Sequence, residues 1–123
     1  MILIDTSVWI DHLRSGDWNL VRLLNTGQVL THSFVIGELA LGNLRQRRLI
    51  PDTLGDLPRT MVASDQEVLH FIGQHRLFDS GIGYVDAHLL AAAQLTAGTT
   101  LWTRDKRLRG AADRMGLAAN VSA

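Results

Sequence analysis

The first nine residues, MILIDTSVW (residues 1–9), place an apolar run directly before a carboxylate and two hydroxyls. The run Met1–Ile4 is typical of a strand that is buried on both faces in a parallel sheet. Asp5, Thr6 and Ser7 follow at a junction with a helix, where each residue type is a good N-cap. Helix capping is the simpler interpretation of Asp5, and three further carboxylates in the chain bear on whether it is sufficient.

Length and composition predict a single globular domain. The chain has 123 residues, of which 46% are hydrophobic and 20% are charged, close to the average of soluble domains. Its apolar runs are far shorter than the roughly 20 residues that span a bilayer, and no basic region precedes the first one, so we expect a cytoplasmic protein. The absence of cysteine excludes disulfides and thiolate metal sites, which leaves oxygen or histidine ligands for any metal.

The charges balance but differ in kind. There are 12 basic and 12 acidic residues, a formal net charge of zero, so the chain has no global basic field that would attract nucleic acid. Ten of the acids are aspartate and two are glutamate. Short carboxylates favour helix caps, turns and metal sites over exposed helix faces.

Apolar periodicity predicts strands that alternate with helices. The predicted strands are residues 1–4, 28–32, 61–63, 99–103 and 117–121. The predicted helices are residues 8–16, 17–27, 34–45, 65–77, 84–97 and 105–115, with a short helix or turn at 52–59. Asp17 and Asp65 are the predicted N-caps of the second and fourth of these helices. Because no tight hairpin joins the strands, the pattern predicts an α/β fold, a three-layer α/β/α sandwich around a parallel sheet of four to five strands. Ligands of such sheets bind at the carboxyl ends of the strands, and Asp5 and Asp105 both follow a predicted strand.

Two more acids fall on apolar helix stripes. Glu38 shares the i, i+3, i+4, i+7 spacing with apolar neighbours, and Asp86 does so with Leu89, Leu90 and Ala93. Each acid near a helix start has a plain explanation in capping or the helix dipole, although Glu38 is not a capping residue. If the four acids converge, each close pair repels by on the order of 3 kcal/mol, which a bound divalent cation would offset.

An all-oxygen cluster suits Mg²⁺ or Mn²⁺ rather than zinc. Such a site can hydrolyse a phosphodiester by activating water and stabilising the leaving oxygen. The hydroxyls of Thr6, Ser7 and Thr103 would then orient the carboxylates.

The order of these motifs resembles the PIN-domain ribonucleases, and closely the VapC toxins of bacterial toxin–antitoxin pairs. The resemblance rests on four stretches: IDTS at 4–7, GEL at 37–39, YVDAHLLAAA at 84–93 and LWTRD at 101–105. Residue by residue, the family's catalytic and metal-binding acidic quartet is matched by Asp5, Glu38, Asp86 and Asp105. Thr103 matches a hydroxyl of the family, two positions before the last acid. Lys106 and Arg107 stand where the family often has a further acid. The resemblance implies a PIN-type sandwich and an Mg²⁺- or Mn²⁺-dependent endoribonuclease that blocks translation. It also implies a homodimer and inhibition by a cognate VapB-type antitoxin.

Two basic clusters are candidates for RNA contacts. One lies at the C-terminal end of the predicted helix that contains Glu38, and the other lies around Asp105 in the sequence. The first can complement a helix C-terminus, and both can simply be solvated, but the second is well placed to hold RNA phosphates. The two clusters are Arg45, Arg47 and Arg48, and Arg104, Lys106, Arg107 and Arg109.

The remaining aromatic and histidine residues favour structural roles. The five histidines show no i, i+4 pairing, which argues against zinc. Trp9, Trp18 and Trp102 are predicted core residues, and a groove for an antitoxin helix, formed by Trp9 with Leu13, Leu20 and Leu24, is a further hypothesis.

Two other functions remain open from the sequence. A phosphatase of the haloacid-dehalogenase type also places Asp after its first strand, but it uses a second Asp two residues later, where this chain has Ser7. A non-catalytic PIN-like module would instead keep the acids for metal-stabilised folding and bind RNA or protein.

Overall fold

The computed structural model describes residues 1–42 and 54–121. Within these residues the strands are β1 (Ile2–Ile4), β2 (Val29–Leu30) and β3 (Thr100–Trp102). The helices are α1 (Thr6–Ser15), α2 (Trp18–Asn25), α3 (Ser33–Leu41), α4 (Asp65–Gln74), α5 (Tyr84–Leu95) and α6 (Lys106–Arg114).

The sheet is parallel, with strand order β2-β1-β3. Ile2 pairs with Val29 on one side of β1 and with Thr100 on the other, and Ile4 pairs with Trp102. The chain leaves β1 toward one edge and returns to the other edge, which makes the carboxyl end of β1 the switch point where ligands of such sheets bind.

The α/β class and the parallel sheet are confirmed, but the predicted count of four to five strands is wrong for the described residues. On one edge, Thr31 forms an isolated bridge with Arg59, and on the other Leu101 forms one with Ala118. The predicted strand at 61–63 does not form. Met61 and Val62 are about half exposed there, whereas a strand in a parallel sheet requires cover on both faces.

Helix boundaries follow local capping chemistry. Ser64, rather than the predicted Asp65, caps α4 in a reciprocal capping box with Glu67. Helix α3 ends at Leu41, short of the predicted residue 45, because Gly42 adopts an extended backbone. Residues 43–53, which include the first basic cluster and the start of the predicted segment 52–59, lie outside the described residues.

The core is built on the sheet and on α5. Helix α5 buries a continuous segment from Ala87 to Ala93, in accordance with its predominantly apolar sequence. Trp9 and Trp102 are core residues as predicted, but Trp18 is 87% exposed. Leu20 is fully buried with Trp9, so neither side chain is available to line the hypothesised groove. None of the described helices is long and apolar enough to cross a membrane.

Candidate metal and nuclease site

Asp5 occupies the N-cap position of α1, yet its side chain makes no capping hydrogen bond in the described structure. Ser7 Oγ and Thr103 Oγ1 each donate to Asp5 Oδ2 at 2.7 Å. The residue is only 6% exposed, and two hydroxyl donors to one oxygen offset the cost of burying this carboxylate. Capping therefore does not explain Asp5.

Backbone amides fix the two hydroxyls in turn. Arg104 N donates to Ser7 Oγ at 3.0 Å, and Asp105 N donates to Thr103 Oγ1 at 3.0 Å. Since both hydroxyl hydrogens are directed at Asp5, the 3.4 Å contact between the two hydroxyl oxygens is not a separate hydrogen bond. The network joins the end of β1 to the end of β3.

Asp105 combines capping with a position at the same edge. Its Oδ1 accepts from Leu108 N at 3.0 Å, which caps α6. This capping interaction is the one that an Asp at a strand-to-helix junction predicts. The residue is exposed, so its second carboxylate oxygen remains available to a ligand.

Asp86 is the carboxylate whose pKa responds to the charges of the other three acids. Burial raises its pKa, and the backbone N–H of Gly83, which donates to Asp86 Oδ2 at 3.0 Å, opposes that effect. The negative charges of Asp5, Asp105 and Glu38 raise the pKa further. The other three predicted acids thus lie within electrostatic range of Asp86.

Glu38 joins the group from α3. Thr6 Oγ1 donates to Glu38 Oε1 at 2.7 Å. Glu38 itself is exposed, while Val35 and Leu39 on the same stripe are buried, so the prediction that Glu38 faces inward is wrong. An exposed position keeps the carboxylate hydrated and avoids the cost of burial.

The donor set fits a hard divalent cation. The hydrogen bonds described above use one oxygen each of Asp5, Asp86 and Asp105, which leaves the other oxygen of each for a ligand. Among residues 1–42 and 54–121, there is no group of three or more acidic or histidine side chains that could by itself hold a metal ion. Mg²⁺ does not require one, because it keeps several waters and commonly uses one or two carboxylates together with substrate phosphates.

The predicted basic residues separate into two groups around α6. Arg104, Lys106 and Arg109 line a cavity of about 630 Å³ that also includes Thr103 and Trp18. Within it, the Arg104 guanidinium pairs with Asp11 at 2.8 Å and also with Asp17. Arg109 lies 3.9 Å from Asp113, a weak surface pair.

Arg107 points elsewhere. It lines a separate groove of about 410 Å³ with two arginines that the sequence pattern does not single out, Arg76 and Arg114. Their shared position is not recognisable from the sequence, because Arg76 lies about thirty residues before α6 and the two segments meet only in the fold.

Two buried histidines form an aromatic cluster beside α3 and α5. Phe34 contacts His32 and His88, with ring centroids 5.0 and 4.7 Å apart. Burial, with a smaller effect of His88, lowers the pKa of His32 to about 4. His32 Nδ1 accepts from Phe34 N and caps α3, a role consistent with the structural interpretation of the histidines.

The chain is similar to proteins of a known family. The PIN domain family model matches residues 2–114. Ribonuclease VapC32 of Mycobacterium tuberculosis, in strains CDC 1551 / Oshkosh and ATCC 25618 / H37Rv, is 48% identical over 118 residues, which cover 96% of this chain and 95% of the relative.

Solved structures share the fold at lower identity. FitAcB from Neisseria gonorrhoeae superposes with a TM-score of 0.60 at 24% identity and covers 92% of this chain and 94% of its own. PAE2754 from Pyrobaculum aerophilum has a TM-score of 0.62 at 17% identity, covering 89% and 78%. With a family match over nearly its whole length and a relative at almost half identity, the chain belongs to the PIN-domain family.

Proposed function

We propose that this protein is an Mg²⁺- or Mn²⁺-dependent endoribonuclease and the toxin of a toxin–antitoxin pair, and that it blocks translation by cleaving RNA. The observation that carries the proposal is the environment of Asp86, a partly buried carboxylate whose pKa is raised by burial and by the negative charges of three other acids. Like charges are gathered at this cost in free energy where a cation is to be bound. The relative named ribonuclease VapC32 supports RNA as the substrate class.

The four carboxylates have distinct tasks in this proposal. Asp5, Glu38, Asp86 and Asp105 would hold the cation, and the hydroxyls of Ser7 and Thr103 keep Asp5 in a single orientation. When bound, the ion supplies positive charge at the phosphate and lowers the pKa of a water molecule.

Proton transfer is assigned to Asp86. If Oδ1 faces the cation, then Oδ2, which accepts from Gly83 N, would keep a second lone pair to accept a proton from the attacking water. Water would then bond to phosphorus as the bond from phosphorus to the 3′ oxygen breaks. The 3′ oxygen would take up a proton from solvent, so that the products carry 5′-phosphate and 3′-hydroxyl ends.

The test is cleavage of total bacterial RNA by the purified protein in Mg²⁺, in Mn²⁺ and in EDTA. We expect discrete fragments with 5′-phosphate and 3′-hydroxyl ends, formed only with metal and lost in Asp86→Asn. Asp56→Asn is the matched control, because Asp56 is an exposed acid outside the site. Cleavage in EDTA at the same rate, or undiminished cleavage by Asp86→Asn, would refute the assignment.

The alternatives predict different results. A non-catalytic module would bind metal and gain stability without producing fragments. A haloacid-dehalogenase-type phosphatase would form an aspartyl-phosphate at Asp5, but Ser7, which occupies the position of its second Asp, instead donates a hydrogen bond to Asp5. The PIN family match over residues 2–114 also gives no support to that phosphatase.

Two protein partners belong to the proposal. We expect a homodimer, measurable by sedimentation, and a VapB-type antitoxin whose segment covers the carboxylates. The antitoxin is supported by the 48% identity to the relative named ribonuclease VapC32. Its addition should abolish cleavage in proportion to the complex formed.

A further inference from the structure

The groove lined by Arg76, Arg107 and Arg114 is a concentration of positive charge on a chain with no net charge. All three side chains are exposed, and none belongs to an ion pair among the described residues. Asp79 also lines the groove, which therefore carries a surplus of two positive charges. By contrast, Arg104 is engaged by two aspartates.

Two segments of different character build the groove. Arg107 and Arg114 stand two turns apart on α6, about 10 Å along its axis, and the small residues Gly110 and Ala111 lie between them. The loop that follows α4 supplies Arg76 and Phe78. The small residues Gly110 and Ala111 therefore form the bottom of the groove, and the arginine side chains line its sides.

The Arg107 side chain lies against the loop at Gly81. A Cβ built on Gly81 would lie 2.9 Å from Arg107 Cδ and 3.0 Å from Nη1, and Gly81 has a φ of +83°. The absence of a side chain at position 81 lets the arginine lie close against the backbone.

The groove adjoins the carboxylates through the same two segments. Arg107 is two residues beyond Asp105, and the loop continues to Gly83, whose N–H donates to Asp86. A polyanion that reaches the acidic site must overcome the repulsion of four carboxylates, and adjacent arginines offset it.

An exposed aromatic ring accompanies the charges. Phe78 is 59% exposed and lines both this groove and a neighbouring one that contains Tyr84. Alternation of arginines with an exposed ring is typical of surfaces that bind single-stranded nucleic acid, where phosphates contact the cations and bases stack on the ring. The acidic side chains of a peptide would pair with the arginines but have no planar base to stack on the ring.

We infer that this groove binds the backbone of a single-stranded RNA substrate beside the cleavage site. Backbone phosphates contact Arg76, Arg107 and Arg114, and a base stacks on Phe78. The inference rests on the proposed function and deepens it by assigning the path of the substrate strand. It places RNA on the Arg107 side of α6 rather than on the side of Arg104.

The test measures RNA binding without cleavage. In the Asp86→Asn protein with EDTA, the affinity for a mixed-sequence single-stranded RNA is measured over a range of salt concentrations. The variants are Arg76→Gln, Arg107→Gln and Arg114→Gln, singly and combined, which remove charge but keep most of the aliphatic stem. Arg22→Gln is the matched control, because Arg22 is an exposed arginine on α2.

We expect the combined variant to bind at least ten-fold more weakly, with the log–log salt slope reduced by about 0.7 for each phosphate that the protein no longer neutralises. Phe78→Ala should weaken RNA binding and leave the salt slope unchanged. Arg22→Gln should behave like the parent. Equal slopes for the parent and the combined variant would overturn the inference.

A second probe, poly-L-glutamate, separates RNA from acidic peptides. If the arginine variants weaken poly-L-glutamate binding as much as RNA binding, and Phe78→Ala affects neither, the groove is a protein-docking surface and the inference is wrong. Cleavage by the wild-type protein is scored separately. Normal metal-dependent cleavage with unchanged RNA slopes would refute only the groove, whereas reduced slopes without any cleavage would refute only the nuclease.

Discussion

Thr103 donates a 2.7 Å hydrogen bond to Asp5 from a position 98 residues away in the sequence. The same hydroxyl accepts from Asp105 N at 3.0 Å. The Thr103 hydroxyl therefore orients the Asp5 carboxylate and also fixes the backbone at Asp105.

The first prediction concerns this hydroxyl. Thr103→Val keeps the shape of the side chain but removes both hydrogen bonds, so we expect a loss of about 1–2 kcal/mol in the free energy of unfolding. We also expect the cleavage rate to fall by about 10- to 100-fold. Thr103→Ser should restore most of both. Urea unfolding and initial cleavage rates measure the two effects, and a normal rate in Thr103→Val would show that Asp5 needs no such positioning.

The second prediction separates stability from function at Asp86. Asparagine retains an oxygen that can accept from Gly83 N, and it removes the charge that burial and three neighbouring acids disfavour. Asp86→Asn should therefore unfold at a higher temperature than the wild type in EDTA, with a gain in stability on the order of 1 kcal/mol. Thermal unfolding measures the change. A lower melting temperature would mean that repulsion among the acids is not a significant cost in the metal-free protein.

The third prediction is a pH dependence of stability. The pKa of His32 is lowered to about 4 from 6.5, so the unfolded chain binds a proton at this residue more readily than the folded one. The contribution of neutral His32 to the free energy of unfolding is fully present above about pH 6.5. It is lost as the pH falls toward 4, which lowers the free energy of unfolding by about 3 kcal/mol.

His32→Asn tests that prediction. Asn is a good N-cap and can accept from Phe34 N as His32 Nδ1 does, but it does not titrate in this range. Denaturant unfolding at pH 7, 5.5 and 4 should show a smaller loss of stability in the variant than in the wild type. Parallel pH profiles would assign the acid sensitivity to other groups.

The fourth prediction concerns Arg104. Its guanidinium bridges Asp11 on α1 and Asp17, which caps α2, and it lies 5.7 Å from the Trp102 ring centroid. Arg104→Ala should lower the free energy of unfolding by about 1 kcal/mol, a value at the upper end for exposed pairs. The salt slope of RNA binding should stay unchanged. A slope reduced as much as in Arg107→Gln would instead support the phosphate contact that the sequence suggests for Arg104.

The sequence predicted the elements that depend on local chemistry. Asp17 and Asp105 cap their helices as expected, and the apolar run before Asp5 forms the central strand. The sequence also predicted that Asp5 and Asp105 lie at one edge of the sheet, because each follows a parallel strand, but it left open whether Glu38 and Asp86 join them.

The predictions that failed depend on tertiary context. Helical spacing placed Glu38 on a buried stripe, yet Thr6 holds it at the exposed edge. Trp18 was predicted to lie in the core, but α2 buries Leu20 and Leu23 and turns the tryptophan outward. The arginine groove was missed because its two walls come from distant segments.

The most direct test of the central claim, that the four acids act as one cation site, is Mn²⁺ binding measured from the electron paramagnetic resonance signal of free Mn²⁺. We predict that wild-type protein and Asp56→Asn deplete free Mn²⁺ equally. We also predict that Asp5→Asn and Asp86→Asn bind the ion about ten-fold or more weakly. Equal depletion by Asp86→Asn and the wild type would contradict the claim.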